Sequence, residues 1–270
     1  MTALANGLTE IQTATSGLET VNKTMPGYSV GYLWVIRTAG VDAATGKRIF
    51  IDANGNQVLY QNGSVLPAGQ YNYMNPDGTQ YKRNGVNGSI SQADDAVMYG
   101  NTQPKYYGGW DNTLNYKDFS LQFIFTYQFG SYLYYGSNAG LRDQRFWNNS
   151  TDVLRYWKKA GDVTDIPKPL YGDNVSNGSA MPLDINVFKG DYVKLRTVQL
   201  AYNLPKKMIE KAKMSNARVY VSAQNLAVIT DYPGPDPEVS SNGNSGTSFG
   251  VDRNTLANGR TITIGLNVGF

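Results

Sequence analysis

TITIGLNVGF, residues 261–270, is the stretch on which the fold class turns. Ile262, Ile264, Leu266, Val268 and Phe270 take every even position, and Thr261, Thr263, Gly265, Asn267 and Gly269 every odd one. A strand repeats every two residues, so the two sets fall on opposite faces. A half-buried sheet of a globular domain produces this pattern, and so does a strand in the wall of a membrane barrel.

Working outward, Phe119–Phe129 alternates in the same way. Phe119, Leu121, Phe123, Phe125, Tyr127 and Phe129 share one face, and Ser120, Gln122, Ile124, Thr126 and Gln128 the other. A bulky uncharged face against a mostly polar one is the lipid-outside, polar-inside pattern, and the length fits the roughly 9–11 residues of a spanning strand. Gly108–Tyr116 precedes it across the two-residue turn Lys117-Asp118. With Tyr116 opposite Phe119, Leu114 meets Leu121 and Trp110 meets Phe125. Short turns of this kind lie on the periplasmic side of outer-membrane barrels. Phe270, a terminal aromatic with no tail after it, points the same way.

A further hairpin is expected between 190–204 and 217–229. With Leu204 opposite Ala217, the pairs Tyr202/Val219, Leu200/Val221 and Val198/Ala223 set apolar against apolar on one face. Beyond Val198 the apolar positions change parity on both strands, to Val193, Leu195, Leu226 and Val228. Two bulges at one height produce such a change. The simpler expectation keeps both strands regular and lets the wall leave the membrane there. Lys194 and Arg196 then point outward into water or headgroups, and the four apolar residues pack inward.

Composition agrees with a barrel segment and removes other classes. The chain has 270 residues, 20 Tyr, 29 Gly and 17% charged residues, with a mean hydropathy of −0.41. No run of about 18 apolar residues is present, which excludes helical spans. The net charge of +3 is dispersed, so nucleic-acid binding has no support. There is no Cys and no His, which removes thiol catalysis, Ser-His-Asp triads and Cys/His zinc sites. The chain is expected to be no enzyme and to need no cofactor. Its first residues have neither a basic start nor an apolar core, so they are no secretory signal. Met1 is therefore expected to be internal to a longer protein, or to mark a truncated gene.

Residues 27–105 are rich in turn signals, at Ala44-Thr45-Gly46, Ala53-Asn54-Gly55-Asn56, Asn75-Pro76-Asp77-Gly78 and Asn87-Gly88, between short β-prone runs. Asp52, Asn54 and Asn56 around Gly55 bring calcium to mind, but the twelfth position counted from Asp52 is Gly63 and not an acid. A hairpin turn is the expected reading. Tyr28–Arg37 is long enough to span a membrane but alternates poorly, and is read as an extracellular strand.

Three motifs followed by the terminal strand make the assignment specific. YVKLRTVQLAYNLP (Tyr192–Pro205), RVYVSAQNL (Arg218–Leu226) and DYPGPDPEV (Asp231–Val239) resemble, in this order, the C-terminal end of SusC/RagA-type TonB-dependent transporters, outer-membrane barrels of Bacteroidetes. Gly31–Asn56 resembles that family's loop region before the last barrel strands. Arg145–Pro169 is similar to its loop with an aromatic-rich turn and a DIPKP-like element. The likeness covers 108–270 well and 1–105 loosely.

The resemblance implies an all-β fold, the C-terminal arc of a transmembrane antiparallel β-barrel. Five strands of about 22 lie at 108–116, 119–130, 190–204, 217–229 and 260–270. Residues 1–105 form an extracellular loop and hairpin region, and 131–189 and 230–259 are extracellular loops. Lipid-facing positions are Phe119, Leu121, Phe123, Phe125, Tyr127, Phe129, Leu200, Tyr202, Ile262, Ile264, Leu266 and Val268. The family's function is import of glycan or peptide fragments across the outer membrane. Its partners are a SusD-like surface lipoprotein, TonB through a region upstream of this sequence, and the barrel-assembly machinery, for which Phe270 is the assembly signal. Trp147, Tyr156 and Trp157 are candidate substrate contacts, set against packing of their own loop. The basic connection Pro205–Asn216 reads as a solvated surface. The rival readings are a secreted β-sandwich carbohydrate-binding module and an inert truncated barrel fragment.

Overall fold

The computed structural model describes residues 11–15, 19–63, 66, 70–243 and 245–270, with the side chains of 11–20 left aside. The chain divides into two compact units. One comprises residues 1–103, 132–188 and 239–255, and the other 104–131, 189–238 and 256–270. The loops at 131–189 and 230–259 thus do not stand alone, because most of both folds together with 1–103.

The second unit is a single antiparallel sheet of five strands in sequence order: Tyr106–Tyr116, Phe119–Phe129, Tyr192–Asn203, Asn216–Thr230 and Thr261–Gly269. Tyr116 pairs with Phe119, Leu114 with Leu121 and Trp110 with Phe125, the register the two-residue turn dictates. Lys117 takes the left-handed conformation this turn requires, with φ 52°. Tyr202 pairs with Val219, Leu200 with Val221 and Val198 with Ala223, as expected. Among the described residues the first and last strands pair on one side only.

The outer half of the third and fourth strands departs from expectation. Ile124 pairs with Thr197 and Phe125 with Leu195, so Arg196 is an extra residue on the third strand. Thr197 pairs with Gln224 and Leu195 with Ala227, which makes Asn225 and Leu226 extra on the fourth. Asn225 is left-handed, with φ 53°. The two bulges do occur at one height, and the expectation of regular strands is corrected. Val193 and Leu195 stay on the apolar face, opposite Tyr127 and Phe125, while Lys194 lies opposite Thr126 on the polar face. Of the four apolar residues expected inward, Val228, opposite Lys194, shares that face, and Leu226 lies unpaired in the bulge. The physical reason is the alternation itself. Regular strands would align Lys194 and Arg196 with Val198, Leu200 and Tyr202, and one inserted residue moves both cations to the other side.

The first unit is built on Tyr32–Val41, which pairs with Glu19–Thr24, Arg48–Ile51 and Ala96–Gly100. This strand is buried on both faces, which explains its poor alternation. Ile36 packs with Phe50, Val58, Tyr60, Tyr81, Ile90 and Leu183. Leu33 and Val35 pack with Val21, Tyr134 and Val251. Arg48–Ile51 and Gln57–Tyr60 form the hairpin expected around Gly55. The carboxylate of Asp52 is occupied there, accepting from the backbone N–H of Asn54 and Asn56, the Asn56 amide and the Tyr81 hydroxyl. The turn expected at Asn87-Gly88 lies instead at Asn84-Gly85, both with positive φ, between the paired Lys82–Arg83 and Val86–Asn87. Asn-Gly is the dipeptide a tight turn of that kind selects.

Arg48 is fully buried in this unit. Its guanidinium donates to the carbonyls of Ser176 (2.7 Å), Asp165 (2.8 Å) and Gly40 (3.2 Å) and to Oδ1 of Asn177 (3.2 Å). Burial pushes its pKa down to about 10, so the group remains charged at neutral pH.

Candidate functional site

Three places bear on function: the apolar face of the five-stranded sheet, an ion cluster on its polar face, and the exposed aromatics of the first unit. The apolar face runs in register across the sheet, with Asn112, opposite Phe123, as a polar residue on it. Across the sheet the rows read Trp110, Phe125, Leu195 and Ala227, then Leu114, Leu121, Leu200, Val221 and Ile264, then Tyr116, Phe119, Tyr202, Val219 and Leu266. Trp110 stacks on Phe125 at 6.0 Å between centroids, and Phe119 leans on Tyr202 at 4.7 Å. Ile262, Ile264 and Leu266 are exposed, as are Trp110, Leu114, Tyr116, Phe119 and Leu200. A broad exposed apolar surface of this kind marks a membrane or partner contact.

On the polar face the bulge brings two motifs together. Lys194, of YVKLR, places Nζ 2.9 Å from Oδ2 of Asp236 and 2.7 Å from Oε2 of Glu238, both of DYPGPDPEV. Arg196 donates to Glu238 and to the hydroxyl of Thr126. The Tyr192 hydroxyl donates to Glu238 Oε1 at 2.6 Å. Asn258 donates its amide to Asp236 Oδ2 at 3.1 Å, and the backbone N–H of Glu238 reaches Asp236 Oδ1. Lys194 and Asp236 are both buried. Burial pushes the Asp236 carboxyl up, but the hydrogen bonds from Lys194 and from the Glu238 N–H outweigh it and hold the group below its ordinary value. Two cations against two carboxylates balance charge, and a buried pair is tolerated only when its remaining hydrogen bonds are met in this way. The cluster ties the segment after the fourth strand back onto the third. Sequence reasoning read these two motifs as markers and placed the lysine outward. The signal that finds the contact is the parity change at Val198, once it is read as a bulge.

The three candidate aromatics are in different settings. Trp157 is buried, its Nε1 donating to the Ala43 carbonyl at 2.9 Å. A Cβ on Gly46 would come within 2.5 Å of its indole, so it packs the turn at 42–47 rather than offering a surface. Trp147 is 55% exposed and its ring lies tilted beside that of Phe146, 5.0 Å between centroids. It lines a cleft of about 470 Å³ with Gly136, Ser137, Arg145, Arg253 and Asn254. Tyr156 borders a separate cavity of about 250 Å³ with Leu154, Ile166, Pro169 and Tyr171. Sequence reasoning missed a third cleft of about 640 Å³ between hairpin turns, lined by Asn54, Asn56, Asn75, Asp77, Arg83 and Asn84. No group of three or more acidic side chains able to hold a metal occurs among the described residues.

No family model matches the chain. It is 32% identical over 225 residues to the TonB-dependent receptor P3 of Formosa agariphila, covering 78% of this chain and 21% of the receptor. The TonB-dependent receptor P26 of the same organism is 34% identical over 227 residues, 82% of this chain and 21% of the receptor. SusC of Bacteroides thetaiotaomicron, also a TonB-dependent receptor, is 25% identical over 230 residues, 83% of this chain and 18% of that protein. Among solved structures, the RagAB peptide importer in its open-open state superposes on 100% of this chain with a TM-score of 0.67 and 21% identity. The match covers 25% of that importer chain. The chain spans about a fifth of the length of the curated relatives it matches. Sequence and fold together place it among the TonB-dependent receptors. Within that class it belongs to the SusC/RagA family, and its five-stranded sheet is an arc of that family's antiparallel barrel.

Proposed function

We propose that the chain supplies part of the wall and the outward-facing loops of an outer-membrane, TonB-dependent importer of glycan or peptide fragments. The observation that supports this most is the exposed apolar face continuing across all five strands. Phe119, Leu121, Phe123, Phe125, Tyr127 and Phe129 face lipid in this reading, with Leu200, Tyr202, Ile262, Ile264, Leu266 and Val268. A secreted β-sandwich would cover such a face with a second sheet, and the second unit is one sheet. Open strand edges are not tolerated in hydrocarbon, so further strands of the same receptor pair the first and last strands. The two-residue turn at Lys117-Asp118 is then periplasmic, and the first unit extracellular.

The chain is structural in this reading and catalyses nothing. A SusD-like lipoprotein meets its outer loops, TonB acts through a region outside this sequence, and the barrel-assembly machinery reads Phe270. Peptide import is what the name of the solved neighbour records for that protein. The test is fractionation of cells carrying the tagged complete receptor. It should be found in the outer membrane, require detergent for extraction, and co-purify with a surface lipoprotein. Recovery as a monodisperse soluble monomer without detergent overturns the reading in favour of a secreted module.

A further inference from the structure

Arg218 stands on the polar face of the five-stranded sheet without a counter-charge. It pairs in register with Asn203 on one side and Asn267 on the other, in the row after Ala201, Tyr220 and Gly265. Its Nε is sealed from solvent and has no hydrogen-bond partner. Among the described residues its side chain forms no ion pair. Asp118 meets this row through its backbone carbonyl, which accepts the Asn203 N–H at 2.9 Å, so the row is level with the Lys117-Asp118 turn. Asp111, on the same face but at the far edge strand, already receives the Gln122 amide. A half-buried guanidinium with an unmet N–H is unfavourable unless an acceptor comes to it.

The surroundings of Arg218 define that acceptor. It lines a cleft of about 390 Å³ with Asn203, Lys206, Asn216 and Asn267, and the lining holds no Asp or Glu. Lys206 is exposed and, like Arg218, has no side-chain partner among the described residues. Two unpaired cations and no acid call for an anion, and the planar arginine fork meets a carboxylate with two parallel hydrogen bonds. The Asn203 and Asn267 amides flank it as further donors. Val219 and Leu266 alternate onto the opposite, apolar face, so a ligand of Arg218 lies on the inner side of the wall and is no lipid headgroup. The chain spans about a fifth of its curated relatives, and the rest of such a receptor has ample length to reach that side.

We propose that Arg218 is a docking point for an acidic side chain of another part of the same receptor, held against the polar face of the sheet at its periplasmic end. The inference rests on the reading of the chain as part of a barrel wall, so arrival of each variant in the outer membrane is scored first. The complete receptor carrying Arg218→Lys is then treated in detergent with a carbodiimide, which joins an amine to a carboxylate in contact with it. Mass spectrometry of the digest is expected to show position 218 coupled to an Asp or Glu outside this sequence. Arg218→Glu should lower the protease resistance of the assembled receptor, and reversing the charge of the coupled acid in the same molecule should restore it. Should Arg218→Lys fail to assemble, Lys206 of the unaltered receptor supplies the amine and the same outcomes decide. An assembled receptor that couples only to Asp118, couples to a co-purifying lipoprotein, or does not couple overturns the proposal and leaves the importer reading standing. So does saturable binding of inorganic phosphate in place of coupling, which would make the cleft a site for a free anion. An unaltered receptor that never reaches the outer membrane overturns the importer reading and this proposal with it.

Discussion

Tyr220 lies over Gly265, its directly paired neighbour on the terminal strand, so closely that a Cβ on Gly265 would come within 2.2 Å of the ring. The glycine leaves a seat on the polar face and the tyrosine fills it, shielding backbone that a side chain would otherwise cover.

Replacing Gly265 by Ala or Val is therefore expected to force the ring out and to destabilise the last pairing by about 1–3 kcal/mol. Heat-modifiable mobility of the assembled receptor on gels reads this directly. Tyr220→Ala combined with Gly265→Ala should recover part of the loss, because the overlap is gone. An additive double variant would show that the two residues do not share a seat.

Phe123→Arg and Phe125→Arg should each block stable assembly, since an arginine at mid-depth on the lipid side costs about 2–4 kcal/mol. Gln122→Arg should be tolerated. Gln122 is on the polar face and already donates to Asp111 at 3.2 Å, so a cation there gains a partner. Outer-membrane yields of the three variants test which face meets lipid, and equal yields would overturn the assignment.

The cluster at Lys194 predicts both a mutational and a pH effect. Lys194→Met leaves buried Asp236 without its cation and Glu238 with Arg196 alone, which should cost about 3–5 kcal/mol and expose residues 231–238 to protease. Because Asp236 is held below the ordinary carboxylate value, its contribution is complete above about pH 4 and is lost as the pH falls through the lower folded value. Protease sensitivity of this segment should stay flat from neutral pH to about 5 and rise only in stronger acid. Asp236→Asn should remove that rise. A rise already at pH 6 would point to a different titrating group.

Phe270 is 90% exposed at the end of the last strand. If it serves only as one more apolar side chain, Phe270→Ala loses at most about 1.5–3 kcal/mol and the barrel still forms. As a signal read by the assembly machinery it should behave differently. Phe270→Ala, or a short polar extension after it, should leave precursor in the periplasm and little protein in the outer membrane. Normal outer-membrane levels for both variants reject the signal role.

The registers at Lys117-Asp118 and at Leu204/Ala217 were readable because alternation, over eleven residues in Phe119–Phe129 and seven in Val198–Leu204, leaves one pairing that sets most apolar residues on one side. The family was readable from linked motifs. The bulge at Arg196 was not, because a face switch and an inserted residue leave the same parity change in one strand. The deciding fact, that Lys194 meets Asp236, lies 42 residues along the chain. The turn at Asn84-Gly85 was missed for Asn87-Gly88 three residues on, and identical dipeptides carry no local cue to choose between them. Trp147 and Trp157 look alike in sequence. What separates them is Ala43 and Gly46, more than a hundred residues away, which claim one indole and leave the other in water.

Arg48 sets an order of events. Its acceptors lie at Gly40 and again at Asp165, Ser176 and Asn177, so the guanidinium has no full set of partners until more than a hundred further residues have emerged. Closing so long a loop is slow, and until then Arg48 stays in water and the apolar cluster around Phe50 lacks its members at 175–185. Phe50 and Val58, both fully buried in the finished unit, are covered only in part in the meantime. In the proposed importer, a chain emerging N-terminus first thus carries a half-built hairpin while the strands at 106–129 are already available for pairing. The time spent in that state, rather than the stability finally reached, sets how long the unit is prone to aggregate.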